Sequence, residues 1–212
     1  MRHRGNLIVI SGPSGAGKGT ICQEILKANT ELKYSISTTT RLQRPGEVNG
    51  VNYFFVDKNK FEQMTENDDF LEWAEVYNNY YGTPKKFVQE NLEKGLDVIL
   101  EIDMQGAISV KNRFPSGVFL YIAPPSSKEL KSRLEKRKTD SLETIESRLR
   151  CLKRELSYID QYDYLVINDD LEIAVNKVLS IITSEKCLVK KNREDIMNFI
   201  FSDFLWFNIY IS

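Results

Sequence analysis

The segment that most constrains the fold is a glycine-rich stretch between an apolar run and a helical pattern. Leu7–Ile10 is a short apolar run that predicts a buried strand, and residues 20–28 carry apolar side chains at helical spacing. Between them lie, in order, Gly12, Pro13, Ser14, Gly15, Ala16, Gly17, Lys18, Gly19 and Thr20. Glycines let backbone N–H groups point inward at phosphate oxygens, and the start of the helix adds partial positive charge. The stretch therefore predicts a loop that binds nucleotide phosphates, with the Lys18 ammonium between the β- and γ-phosphates.

One position departs from the strict pattern of such a loop. In that pattern Ser or Thr directly follows the lysine, and its hydroxyl binds Mg²⁺. Here Gly19 follows Lys18, and the hydroxyl comes one residue later, at Thr20. This shift weakens the prediction that a hydroxyl of the loop binds the metal directly.

Further apolar runs alternate with helical patterns along the chain. They occupy residues 97–103, 118–123 and 164–168. Strands that alternate with helices predict a parallel sheet covered on both faces, and therefore an α/β fold. The chain has 212 residues, of which 42% are hydrophobic, so we expect one core that carries insertions.

Three segments differ from this alternation. Residues 35–81 are rich in Thr, Tyr, Phe, Asn and Gly, which predicts short strands and turns in a small inserted sheet. Residues 126–159 are helical and charged, with a break at 138–140. Residues 196–212 are densely aromatic but too few for a membrane span. We expect this tail to pack on the core or on a second subunit; a tail that binds a membrane surface or aggregates is the alternative.

The composition argues against several kinds of catalysis and partner. The only histidine is His3, which argues against Ser-His-Asp and Cys-His catalysis and against His-ligated zinc. The three cysteines lie far apart and are odd in number, so we expect a reducing, cytoplasmic environment. The net charge is −1, so no basic field favours nucleic acid as a partner. We expect no signal peptide, because the first residues lead into no long apolar segment.

Two groups of arginines offer positive charge to a phosphate. Arg41 and Arg44 lie three residues apart, and Tyr53 follows a turn that contains glycine. Two guanidinium forks and a phenol hydroxyl can therefore converge on one phosphate. Arg133 and Arg137 lie four residues apart and share one helix face. For both groups, ordinary solvated side chains are the alternative that the residues alone leave open.

Residues 39–55 match a family signature throughout. Their sequence, TTRLQRPGEVNGVNYFF, fits the pattern T-[ST]-R-x2-[KR]-x2-[DE]-x2-G-x2-Y-x-[FY] of the guanylate kinases, a family that the chain therefore resembles. Residues 70–74, 79–83 and 100–106 also resemble segments of that family. The resemblance is colinear over residues 5–185, and the tail beyond Cys187 has no counterpart in it.

The resemblance implies a three-layer P-loop kinase fold with a central parallel sheet. The implied parts are a core (5–34, 88–125 and 160–212), a small mixed sheet that binds GMP (35–87), a helical lid (126–159) and the tail on the core (186–212). The implied reaction transfers the γ-phosphoryl group of ATP to GMP or dGMP, with Mg²⁺. The implied setting is the cytoplasm, without nucleic acid or a membrane span, and a homo-oligomer is compatible with it.

The resemblance also implies roles for individual residues. Those that bind the phosphate of GMP are Arg41, Arg44, Tyr53 and Tyr81. Those that bind the rest of GMP, chiefly its guanine ring, are Ser37, Glu72, Gly82, Thr83 and Glu101. Those that act on the transferred phosphoryl group are Lys18, Arg133, Arg137 and Arg148. Asn168 lies beside the ATP base, and Asp103 holds Mg²⁺ through water.

Three points stay open. For Glu101 and Asp103, a carboxylate at a strand end with a structural partner is the alternative. The lid turn contains Lys138 where the family has glycine, so the hinge of the lid can differ. Scaffold proteins carry domains of this family that bind phosphopeptides without turning over nucleotide; Lys18 and the lid arginines favour an enzyme.

Overall fold

Strands and helices alternate along most of the chain. The computed structural model describes residues 4–76, 78–136, 142–193 and 196–198. In chain order the elements are β1 (Leu7–Ser11), α1 (Lys18–Ala28), β2 (Lys33–Tyr34), β3 (Thr38–Thr39), β4 (Phe54–Phe55), α2 (Lys58–Glu66), β5 (Phe70–Val76), β6 (Asn79–Pro84), α3 (Lys85–Glu93), β7 (Val98–Glu101), α4 (Met104–Arg113), β8 (Val118–Ala123), α5 (Ser127–Lys136), α6 (Leu142–Leu156), a short 3₁₀ helix (Ile159–Gln161), β9 (Tyr164–Ile167) and α7 (Leu171–Lys186).

Five parallel strands form the central sheet, in the order β2-β7-β1-β8-β9. β1 lies in the middle, and all five of its residues are buried. Strands that are covered on both faces have continuous apolar sequences, because both alternating sets of side chains point into a core. The four apolar runs therefore became β1, β7, β8 and β9, and the predicted parallel sheet is confirmed; the short edge strand β2 was not predicted.

Helices cover both faces of the central sheet. On one face, Ile21 of α1 and Val178 of α7 belong to a cluster with Ile8 and Ile10 of β1. On the other face, the alternate residue Val9 belongs to a cluster with side chains of α3 and α4. The sheet and its two helical layers confirm the predicted α/β class with three layers.

A second, smaller sheet has the order β4-β3-β6-β5. β3 pairs with β4 in parallel and with β6 antiparallel, and β5 pairs with β6 antiparallel. The sheet is therefore mixed, as predicted. Its register sets Glu72 of β5 opposite Thr83 of β6, which brings together two residues that the family resemblance assigns to the guanine ring.

Helix α2 is an element that the sequence pattern did not predict. Asp57 begins it by accepting a hydrogen bond from the Lys60 backbone N–H at 2.7 Å. Phe61 is its buried residue, and its ring lies 4.6 Å from that of Phe70 and 5.5 Å from that of Tyr80. With one buried residue, the helix has no apolar stripe from which a helical period could be read.

Helices α5 and α6 pack together through leucines: Leu130 and Leu134 are buried, and Leu149 and Leu152 pack against them. The predicted break at 138–140, and with it Arg137 and Lys138, lies outside the described residues. So does the aromatic tail, apart from residues 196–198. Within the described part of the chain, no helix has both the length and the apolar character needed to cross a membrane.

Candidate functional site

A cavity of about 410 Å³ lies where the glycine-rich loop, the small sheet and the end of β7 meet. Lys18 of the loop, Arg41 from the small-sheet region and Arg148 of α6 all line it. Three cationic side chains therefore face one cavity, although Lys18 and Arg41 lie more than twenty residues apart and Arg148 comes from the predicted lid. The cavity joins the predicted phosphate loop to the predicted acceptor site.

The glycine-rich loop has the conformation that a phosphate-binding loop needs. Gly12 and Gly17 have φ values of +138° and +91°, which residues with a Cβ atom rarely adopt. A Cβ on Gly12 would lie 2.2 Å from the backbone oxygen of Ile122. The Lys18 ammonium donates to the backbone oxygens of Gly12 at 2.6 Å and Pro13 at 3.2 Å. These contacts hold the cation over the loop, in the cavity.

Asn168 follows β9 and forms a hydrogen bond with the backbone of the glycine-rich loop. Its side chain is 6% exposed, and its Nδ2 donates to the backbone oxygen of Ala16 at 2.7 Å. A Cβ on Gly17 would lie 2.3 Å from that same Nδ2, so the amide packs directly on the loop. The structure thus gives Asn168 a role in shaping the loop, and its contact with the ATP base stays a prediction.

Two of the three predicted lid arginines have described contacts. Arg148 donates from Nη1 to Ser14 Oγ at 2.6 Å, which brings α6 onto the glycine-rich loop. Arg133 donates from Nε to Glu129 at 2.9 Å and from Nη2 to the backbone oxygen of Asn168 at 3.0 Å. Arg148 lines the cavity, whereas Arg133 is bound to groups of α5 and the β9–α7 turn.

Glu72 is the buried carboxylate of the acceptor side. It is 4% exposed, and Thr83 Oγ1 donates to its Oε1 at 2.6 Å. Burial raises the pKa of Glu72 to about 7, although the Thr83 hydrogen bond opposes the rise and nearby Asp103 adds to it. Ser37 is also buried, at 8% exposure, and lines the same cavity. Gly82 lies beside Phe70, where a Cβ would come within 2.7 Å of the ring.

Arg41, Tyr53 and Tyr81 form a second cluster in the cavity. The Arg41 guanidinium lies 5.3 Å from the centre of the Tyr53 ring, and that ring lies 5.9 Å from the Tyr81 ring. Burial lowers the pKa of Arg41, but its pairing with Glu47 outweighs burial and the pKa is raised. Arg44 is exposed and lines the same cavity. The structure therefore brings together the four residues predicted to bind one phosphate.

Glu101 and Asp103 have structural partners and also line the cavity. Tyr34 donates its hydroxyl to Glu101 Oε2 at 3.0 Å. Asp103 begins α4 and accepts a hydrogen bond from the Gly106 backbone N–H at 2.7 Å. Burial raises the pKa of Asp103, while that hydrogen bond and Lys18 lower it. Both carboxylates thus have structural partners, as the alternative to a ligand-binding role requires. Both also line the cavity, where they are within reach of a ligand.

The cavity suits a magnesium ion that a nucleotide carries with it. Among the described side chains, no group of three or more His, Cys, Asp or Glu could hold a metal by itself. The carboxylates of Glu101, Asp103 and Glu155 nevertheless line the cavity together with Lys18. Mg²⁺ prefers such oxygen ligands, keeps several waters and is held by few carboxylates together with substrate phosphates.

Three charged or hydroxyl-bearing residues with contacts at the site are among those that were not predicted. Glu47 pairs with Arg41, Tyr34 donates to Glu101, and Glu155 of α6 lines the cavity. Burial raises the pKa of Glu155, although Lys18 lowers it. Glu47 lies in the matched signature, which is the one signal that could have found it; the other two depend on contacts across the fold.

A parallel sheet, a phosphate loop ahead of α1 and a cavity with a second, arginine-lined wall define the class of P-loop nucleotide kinases. A family model described as guanylate kinase matches residues 4–185, and the chain belongs to this family. It is 55% identical over 194 residues to a guanylate kinase of Caldanaerobacter subterraneus subsp. tengcongensis, covering 92% of this chain and 94% of that protein. It is 57% identical over 189 residues to one of Carboxydothermus hydrogenoformans, covering 89% and 93%.

A solved structure agrees with the family. The crystal structure of a guanylate kinase from Anaplasma phagocytophilum superposes with a TM-score of 0.79 at 29% sequence identity. The match covers 95% of this chain and 97% of that one. The likeness thus extends over both the central sheet and the small sheet.

Proposed function

We propose that the chain transfers the γ-phosphoryl group of ATP to GMP or dGMP, with Mg²⁺, in the cytoplasm. Membership of the guanylate kinase family supports the reaction. The observation that carries the proposal is one shared cavity, which is lined both by Lys18 of the phosphate loop and by the buried Glu72, whose carboxylate accepts a hydrogen bond from Thr83. The small sheet is then the GMP-binding part, α5 and α6 the lid, and the central sheet with its helices the core.

Glu72 is the residue we propose for recognition of guanine. Guanine presents its N1–H and its exocyclic amine as adjacent donors, and one carboxylate accepts both. The Thr83 proton already goes to Glu72 Oε1, so we assign Thr83 to orienting that carboxylate and Ser37 to donating to O6. Adenine has an acceptor at N1 and a donor at the 6-position, so AMP would leave these buried groups without partners. Such a mismatch can cost on the order of 10⁴-fold in kcat/KM.

The phosphate of GMP is the proposed nucleophile. Arg41, Arg44, Tyr53 and Tyr81 bind it and turn one oxygen toward ATP. A phosphate monoester is already anionic near neutral pH, so the reaction needs no general base. This agrees with a chain whose only histidine is His3.

Charge stabilisation is the proposed task of the phosphate loop and the lid. Lys18 neutralises charge on the β- and γ-phosphates, while Arg148, with Arg133 and Arg137, neutralises charge on the group in transfer. Mg²⁺, when bound with ATP, would supply further positive charge to those phosphates. Asn168 keeps the loop in shape through Ala16. Closure of α6 over the loop keeps water out, which prevents hydrolysis of ATP.

Release of ADP, measured with GMP, dGMP, AMP, CMP and UMP as acceptors, tests the proposal. We expect GMP and dGMP to be substrates, and kcat/KM with AMP to be lower by at least ~10³-fold. Lys18→Ala should lower kcat by ~10³-fold or more with little change in the KM for GMP. Lys27→Ala is the matched control, because Lys27 lies on the same helix and pairs with Glu24 at the surface.

Two results would contradict this assignment. Equal turnover of AMP would refute the recognition of guanine but leave phosphoryl transfer standing. Absence of ADP release with every acceptor would favour the alternative, a domain that binds phosphopeptides.

A further inference from the structure

Glu47 lies at the end of the loop that carries Arg41 and Arg44. Its side chain is 18% exposed and lines the cavity. Its Oε1 accepts from Arg41 Nη2 at 2.7 Å, and its Oε2 accepts from Arg41 Nη1 at 3.0 Å and from the Arg44 backbone N–H at 2.8 Å. One carboxylate therefore fixes both a guanidinium and the backbone of the next arginine.

The donors of Arg41 can be counted, because a guanidinium has five N–H groups in a rigid fork. Its Nη1 gives one hydrogen to Glu47 and the other to the backbone oxygen of Leu42 at 2.7 Å. Its Nη2 gives one to Glu47. This leaves Nε–H and the second Nη2–H, which form the opposite edge of the fork. Arg41 also forms a hydrogen bond with the side chain of Tyr81. That edge is the one left for Tyr81 and for an incoming phosphate oxygen.

Aromatic rings restrict the same guanidinium from the side. Its central carbon lies 5.3 Å from the centre of the Tyr53 ring and 5.7 Å from that of Phe55. An arginine held by two rings and by a bidentate carboxylate keeps one orientation, whereas a released arginine samples many rotamers. Its remaining donors are therefore oriented before a ligand arrives.

The charge of Glu47 acts against this effect, because a carboxylate near a phosphate repels it. Two observations decide which effect dominates. The carboxylate is paired with Arg41, whose Nη2 lies 2.7 Å from Oε1, and its other oxygen, Oε2, accepts the Arg44 backbone N–H at 2.8 Å. The charges of Glu47 and Arg41 therefore offset each other, and what the pair offers the phosphate is a set of oriented N–H donors, while the guanidinium of Arg44 supplies the net positive charge.

We propose that Glu47 is a positioning residue for the phosphate of the acceptor nucleotide. It holds Arg41 by the Nη1–Nη2 edge, leaves the Nε edge for the phosphate, and fixes the backbone between Arg41 and Arg44. The proposal rests on the proposed function, since it assigns this cluster to the GMP phosphate. It predicts that Glu47 contributes to binding of the phosphate and not to binding of the base.

Comparison of GMP with guanosine tests this prediction, because the two ligands differ only in the phosphate. We would measure both dissociation constants by NMR titration for the wild type and for Glu47→Gln. A glutamine presents one carbonyl oxygen and one NH2 donor, so it cannot make the two parallel N–H···O bonds that Glu47 accepts from Arg41 through its two oxygens. We expect the affinity for GMP to fall about 10-fold or more, and the affinity for guanosine to change less than about 2-fold. In turnover, the KM for GMP should rise while kcat and the KM for ATP stay close to wild type.

Glu75→Gln is the matched control. Glu75 is exposed and lines the same cavity, so its substitution removes the same charge without breaking the Arg41 pair. Because no ordered arginine is lost, it should leave the ratio of GMP to guanosine affinity unchanged or raise it through the lost negative charge, and it should not lower it. Glu47→Asp is a second variant that keeps the charge and both oxygens on a shorter side chain, and it should restore part of the affinity for GMP.

Two outcomes would overturn the role of Glu47. Equal losses for GMP and guanosine would indicate a general structural role, and an unchanged or tighter GMP affinity in Glu47→Gln would show that the carboxylate only competes with the phosphate. A wild type that binds guanosine as tightly as GMP would instead refute the proposed acceptor site, so the two failures are distinct.

Discussion

Glu72 shows how burial sets the charge of one residue. Its carboxylate accepts hydrogen bonds from the hydroxyl and the backbone of Thr83, yet its pKa rises to about 7 because burial disfavours the charged form. Guanine requires the ionised carboxylate, since both of its donors need an acceptor. A pKa of about 7 leaves Glu72 partly protonated at neutral pH in the protein without nucleotide, and under the proposed function bound guanine would favour the ionised form.

A pH dependence of stability follows for the protein without nucleotide. An acid whose pKa is higher in the folded state binds its proton more tightly when folded. Its contribution to stability is therefore fully present below pH 4.5 and is lost as pH rises to about 7. Relative to Glu72→Gln, which does not titrate, we expect the wild-type free energy of unfolding to fall by about 3 kcal/mol over that range.

Urea denaturation of both proteins at several pH values between 4.5 and 7 measures this difference. The variant serves as the control for all other titrating groups. Parallel curves for the two proteins would show that the pKa of Glu72 is not raised in the folded state.

At the scale of an element, the start of α4 combines a helix cap with a group of the cavity. Asp103 accepts from the Gly106 backbone N–H at 2.7 Å and lies in the cavity near Lys18. The hydrogen bond stabilises the helix, whereas only the negative charge would help to hold Mg²⁺ through water. The two contributions can be separated, because asparagine is also a good N-cap residue.

We predict different effects of two substitutions at this cap. Asp103→Asn keeps the acceptor oxygen and should leave the free energy of unfolding within about 0.5 kcal/mol, whereas Asp103→Ala should lower it by about 1 kcal/mol. If the charge helps to hold the metal, both variants should need more Mg²⁺ for half-maximal activity. Denaturant titration gives the first quantity and a Mg²⁺ series in the ADP assay gives the second. An unchanged Mg²⁺ requirement in both variants would show that Asp103 acts only as the N-cap of α4.

At the scale of the whole molecule, the segment after α7 is tied back to the first strand. The Lys191 ammonium donates to Asn6 at 2.8 Å and to Glu185 at 2.6 Å. Glu185 is 8% exposed and also accepts from the Tyr164 hydroxyl at 2.6 Å. Lys191 thus neutralises a buried carboxylate and joins the two ends of the central fold.

Two truncations test what this connection contributes. Truncation after Arg193 keeps Lys191, and truncation after Lys186 removes it and leaves Glu185 without its ammonium partner. We expect both forms to retain the reaction, since the matched family segment ends at residue 185. The shorter form should be less stable than the longer one by about 1–3 kcal/mol. Thermal denaturation of both, with the ADP assay, measures this; equal stability would contradict the role of Lys191.

The sequence was sufficient for features that depend on neighbouring residues. Buried parallel strands have continuous apolar runs, so Leu7–Ser11 and Val118–Ala123 could be predicted directly. The glycine-rich loop could also be predicted from the sequence, because its backbone has φ angles above +90° at Gly12 and Gly17, which restrict these positions to glycine. The family signature then indicated which side chains belong to the acceptor site.

Other features required the tertiary structure. Helix α2 was missed because Phe61 is its only buried residue, so its sequence has no apolar stripe. The hydrogen bond from Asn168 to Ala16 spans 152 residues, and no local pattern encodes such a pair. The ionisation of Glu72 likewise depends on burial by elements distant in the chain. The sequence by itself determined four strands of the central sheet, the phosphate loop and the family, since each follows from residues close together. Only the folded chain decided which groups share the cavity and what charge they carry, since those depend on distances and burial between remote segments.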